Sequence, residues 1–172
     1  MMICAMFGLA VMQAVELPVG PAPEPVALPH FPDTLHAYVW RNWPLAPTER
    51  LAEVVDATPD QIRAVGESMG LPASPEISED QWRRSYITIL RRNWHLLPYD
   101  QLLELLDWTP EHMAYTLRED DFLFIKLGRL KPDCPPLRHA PPDDAAKARA
   151  AEIAQVLREV FPEGAGVSKE PL

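Results

Sequence analysis

RNWPLAPTERLAEVVDATP, residues 41–59, and RNWHLLPYDQLLELLDWTP, residues 92–110, carry the same amino acid at ten of nineteen positions, 51 residues apart. Unrelated segments of that length agree at about one position on composition alone. The identical pairs are Arg41/Arg92, Asn42/Asn93, Trp43/Trp94, Leu45/Leu96, Pro47/Pro98, Leu51/Leu102, Glu53/Glu104, Asp56/Asp107, Thr58/Thr109 and Pro59/Pro110. The chain therefore contains one small unit twice.

Each shared residue suits a helical unit. A lead-in helix ends near Trp43 or Trp94. Pro47 and Pro98 fit the first turn of a second helix, where a proline loses no hydrogen bond. Leu51, Val54 and Val55 follow at helical spacing, and the second helix ends near Asp56 or Asp107. Thr58-Pro59 and Thr109-Pro110 then open a third helix with an N-cap threonine and a first-turn proline, and Gln61 completes a capping box in the first copy. This is the layout of a helix-turn-helix unit.

Outward from the repeat, Ser78 and Gln81 form another capping box. It opens one helix running through Trp82, Tyr86, Ile89 and Leu90 to Trp94. Glu119 to Leu127 reads as a further helix stopped by Gly128, with Glu119, Asp120 and Asp121 complementing its dipole rather than performing acid–base chemistry. Residues 143–162 read as an amphipathic helix with Ile153, Val156, Leu157 and Val160 on its apolar face. The expected fold is all-α: two tandem three-helix, helix-turn-helix-like units over 33–72 and 78–130, plus the C-terminal helix. The 20 prolines concentrate in 17–32, 71–75 and 131–142, which read as extended connectors.

Composition narrows function. With 47% hydrophobic residues the chain can build a core, while a net charge of −9 opposes general attraction to nucleic acid or anionic lipid. Cys4 and Cys134 supply no disulfide framework. The five histidines contain no i, i+4 pair for a metal, so no metal or cofactor is expected. No phosphate loop, nucleophile elbow or catalytic constellation is recognisable, and the chain itself reads as non-enzymatic. Of the five tryptophans, Trp43, Trp94 and Trp108 suit helix junctions, whereas Trp40, aligned with Arg91, is expected at the surface. Trp40 with Arg83, Arg84, Arg91 and Arg92 forms the candidate interaction surface, although arginines on a helix also serve plain solubility.

Residues 1–16 are almost wholly apolar, too short to span a bilayer comfortably, and either the core of a secretory signal cut near Ala14 or a buried N-terminal helix. The export reading implies an exported or periplasmic protein. Residues 163–172 read as a tail or linker.

The run Arg92-Asn93-Trp94-His95-Leu96-Leu97-Pro98, continued by Arg118-Glu119-Asp120-Asp121-Phe122-Leu123 and Lys126-Leu127-Gly128, resembles a helical region of large exported bacterial proteins similar to glycoside hydrolases. In those proteins such a region precedes a catalytic domain similar to family 20 hexosaminidases. The resemblance covers about Leu17 to the C-terminus and implies a non-catalytic accessory module that contacts a protein partner or its own downstream domain. It carries no catalytic residue onto this chain. The competing expectation is a regulator whose two third helices read DNA, against which stand the acids Asp60 and Glu111 near their starts.

Overall fold

A computed structural model of the chain describes residues 15, 17–120, 122–162 and 164. Among these residues the secondary structure is helical, with nine helices and no strand, so the fold is all-α. The apolar segment 1–16, except Val15, and the tail 163–172, except Gly164, lie outside the described residues.

The helix boundaries repeat with the sequence. In the first copy they are α1 (Thr34–Asn42), α2 (Thr48–Val54) and α3 (Pro59–Ser68). After α4 (Glu79–Arg84), the second copy runs through α5 (Tyr86–Asn93), α6 (Tyr99–Leu106) and α7 (Pro110–Glu119). Both expected capping boxes form: Thr58 and Gln61 exchange hydrogen bonds at the start of α3, and Ser78 and Gln81 do so at α4. Asp56 and Asp107 hold φ of 53° and 54°, the left-handed region that ends a helix and that Asp tolerates better than most residues.

Four expectations need correction. The single helix from Ser78 to Trp94 is two helices, because Ser85 adopts φ −82° and ψ 4° and its hydroxyl donates to the Gln81 carbonyl, which bends the chain. Pro47 and Pro98 precede α2 and α6 in extended backbone, as N-cap residues rather than first-turn ones. Glu119 and Asp120 close α7 instead of opening a helix. Phe122 then turns left-handed, and the short α8 (Leu123–Lys126) takes the place of the expected helix. Finally, α9 (Asp144–Val160) buries its alanines: Ala146, Ala150 and Ala154 face inward, Ile153 is half-buried, and Val156 and Val160 are exposed. A small-residue face lets α9 approach closely, and a Cβ on Gly70 would sit 3.1 Å from Ala154.

The core is continuous across both copies. Tyr38, Leu51 and Ile62 from the first and Ile89, Leu102, Leu105 and Met113 from the second are essentially inaccessible to water. Burial of each such side chain contributes about 1.5–3 kcal/mol. At the seam the fully buried Asn42 and Asn93 exchange amide hydrogen bonds of 2.8 and 2.7 Å, and each also donates to the carbonyl four residues before it, Tyr38 or Ile89. Gln101 of α6 donates to the Val54 carbonyl at the end of α2, and Arg50 of α2 lies 5.2 Å over the Trp82 ring of α4.

The proline-rich stretches are packed straps. Leu137 and Gln101 exchange hydrogen bonds of 2.7 and 2.8 Å, and His139 N–H donates to Val55. Lys131, buried, donates to the Trp94 carbonyl at the end of α5 and lies 5.6 Å over the Trp94 ring; burial pushes its ammonium pKa down. Upstream, Pro18 accepts from the Tyr99 hydroxyl and Val26 N–H donates to His95 Nδ1. Prolines suit such straps because fixed φ lowers the entropy of holding an extended chain.

Candidate interaction surface

The asparagine pair sets what lies beside it. Arg41 and Arg92 each precede a seam asparagine, so the close approach of α1 and α5 brings them together, and Arg92 Nη1 donates to the Arg41 carbonyl. Burial, and then the neighbouring Arg92 charge, push the Arg41 pKa down. Among the described residues no carboxylate lies within ion-pair distance of Arg41 or Arg92. Arg50, Arg63, Arg83, Arg84, Arg118, Arg138 and Arg149 each have at least one, while Arg91, Arg129 and Arg158, which likewise have none, are exposed rather than beside a groove with a second arginine. Arg41 and Arg92 both sit in the last turn of a helix, where a cation complements the helix dipole, and that accounts for part of their placement.

A groove of about 560 Å³ opens beside these guanidiniums, with Leu28, Phe31, Trp40, Trp43, Leu71 and Pro72 along its walls. Trp40 is half-buried, meeting Phe31 edge-to-face at 5.8 Å, while the Trp43 indole N–H donates to the Pro72 carbonyl and fixes the floor. Phe31 and Trp40 also border a hollow of 310 Å³ along α9, with Ile153, Val156 and Leu157. Phe31 and Trp40 line both depressions, which together are called the Trp40 trough: Arg41 and Arg92 line one part, and the other is largely apolar, with His30, Arg149 and Glu152 at its sides.

The structure divides the residues singled out in the sequence. Trp40 and Arg92 line the trough. Arg83 and Arg84 do not: they pair with Glu79 and Asp80 one turn earlier on α4, at 2.8 and 3.0 Å, and Arg83 borders a different cleft. Their proximity in sequence to Arg91 and Arg92 does not make one patch, because the break at Ser85 separates the two pairs. Arg91 is exposed and outside the lining. Arg41 was absent from the expected surface, although its signal was available: it is the first identity of the repeat, and pairing the repeat copies places it next to Arg92.

Chemically, two neighbouring guanidiniums suit carboxylates, which accept their fork of N–H donors, and a half-buried tryptophan in an apolar groove is the usual anchor of a protein contact. Among the described residues no group of three His, Cys, Asp or Glu side chains is placed to hold a metal ion, and no helix is long and apolar enough to cross a membrane. No protein-family model, curated protein or solved structure matches this chain.

Proposed function

We propose that the chain is a non-catalytic helical interaction module that holds an acidic, partly apolar segment of a protein partner, or of its own downstream domain, in the Trp40 trough. The observation that carries this reading is the Arg41–Arg92 pair: two arginines lining one apolar groove, with no carboxylate within ion-pair distance among the described residues, on a chain of net charge −9. Unbalanced charge in an otherwise acidic molecule favours a partner that brings carboxylates. Phe31, Trp40 and Ile153 would receive apolar side chains of the same segment. The setting in the same proposal is the accessory region of a large exported, carbohydrate-active bacterial protein, supported by the resemblance of residues 92–98 and 118–128 and by the apolar N-terminus.

The DNA-binding reading has less support. The exposed residues near the starts of α3 and α7 include Asp60 and Glu111, which repel phosphate, and α9 lies against the end of α3 at Gly70.

A displayed library of peptides with Leu, Phe or Trp anchors separated by Asp and Glu, panned on the full chain, tests the docking role. Enriched peptides should lose about thirtyfold or more in affinity with Trp40→Ala or Arg41→Glu/Arg92→Glu, and little with Arg83→Glu/Arg84→Glu. No enrichment, or equal binding to all these variants, would overturn it.

A further inference from the structure

The second copy carries an open cleft whose lining residues differ from their counterparts in the first. Tyr86 of α5, Trp108 in the α6–α7 turn, and His112 and Tyr115 of α7 border an open depression of about 550 Å³ with Arg83, Glu119 and Asp120 at its edges. Trp108 meets the His112 ring edge-on at 4.4 Å and the tilted Tyr86 ring at 5.5 Å, which makes an aromatic wall. The Tyr86 hydroxyl donates to the Asp120 carboxylate and orients it. Tyr115 stands beside this wall with 59% of its surface exposed.

Comparison within the chain shows that packing does not demand these residues. At the equivalent positions the first copy has Leu35 for Tyr86, Ala57 for Trp108, Gln61 for His112, Ala64 for Tyr115 and Met69 for Asp120. The helical framework forms with either set. In the first copy the end of α3 is covered by α9, with Gly70 against Ala154, and Met69 is fully buried; in the second the corresponding end of α7 borders the cleft and places the half-buried Asp120 carboxylate on its lining.

We propose that this cleft binds a neutral saccharide, with a sugar face on Tyr115 and hydroxyl groups on Asp120, Glu119 and Arg83. An open cleft with aromatic walls and a polar edge suits a ligand that has apolar C–H faces and hydroxyl rims, and the excess of carboxylates over Arg83 at that edge disfavours a polyanion. The site rests on the accessory-module reading only for its setting. Its lining shares no residue with the Trp40 trough, so either proposal can fail alone.

The test is affinity electrophoresis of the full chain through gels containing hydroxyethylcellulose, glycol chitin, xylan or galactomannan. At least one polysaccharide should retard the protein. Tyr115→Ala and Asp120→Asn should each weaken that retardation about tenfold while the helical circular dichroism is unchanged, and Arg41→Glu/Arg92→Glu should leave it intact. The proposal is overturned if none of the four retards the wild type, or if Tyr115→Ala is retarded equally. It is also overturned if the cleft captures a helical peptide and no saccharide.

Discussion

Asn42 and Asn93, equivalent residues of the two copies, hydrogen-bond to each other through both amides, fully buried, at 2.8 and 2.7 Å. Either amide without its partner is a buried polar group short of a hydrogen bond, which costs about 1–3 kcal/mol beyond the lost contact. Asn42→Leu or Asn93→Leu alone should therefore lower unfolding free energy by about 2–4 kcal/mol. The double Leu variant should lose less than the sum of the two. Denaturant melts of the four proteins in the cycle measure this coupling, and simple additivity would count against it.

Asp33 caps α1, its carboxylate accepting from the backbone N–H and the ring Nδ1 of His36, both at 2.8 Å. Burial raises its pKa, but the His36 hydrogen bonds and charge outweigh that, and the net value lies below the ordinary 3.8. A depressed carboxyl stabilises the fold above its unfolded pKa and loses that contribution as pH falls through the folded value. Wild type should exceed Asp33→Asn in stability by a constant margin at neutral pH, and the margin should close below about pH 4. A margin independent of pH in thermal melts would refute the assignment.

Asp107 ends α6 at φ 54° and ψ 47°, exposed to solvent. Glycine adopts this region without steric cost, so Asp107→Gly should stabilise by about 0.5–1 kcal/mol. A β-branched residue cannot adopt it cheaply, and Asp107→Val should destabilise by about 1–2 kcal/mol. The two melting shifts should have opposite signs.

Gly66 lies inside α3, where alanine would ordinarily be the better helix former. A Cβ there would stand 2.6 Å from the far edge of the buried Trp43 ring, and Trp43 is held by its hydrogen bond to Pro72. Overpacking outweighs propensity, so Gly66→Ala should cost about 1–3 kcal/mol by chemical denaturation, and an increase in stability would show that the ring moves freely.

Much of the architecture was legible in the repeat. Thr58, Ser78 and Thr109 marked helix starts because side-chain capping is local, and the helix boundaries of the two copies follow the 51-residue offset. Features set by tertiary packing were harder to read. The bend at Ser85 depends on a hydroxyl–carbonyl bond that periodicity does not encode, and Phe122 takes a left-handed conformation that its side chain does not favour. In α9 the large apolar residues were the obvious inward face, yet close packing at Gly70 selects the alanines. Of the candidate surface, Trp40 and Arg92 line one groove, whereas Arg83 and Arg84, near them in sequence, pair with Glu79 and Asp80 elsewhere. Arg41 required knowing that α1 and α5 meet.

The central claim is that the two copies form one cooperative body, joined at the asparagine seam that also positions Arg41 and Arg92. Backbone amide hydrogen exchange of the full chain tests it most directly. Amides of α1, α2, α5 and α6 should exchange through one shared global opening, and Asn93→Leu should accelerate all four helices equally. Two separate classes, with α1 and α2 unaffected by a substitution in α5, would contradict it.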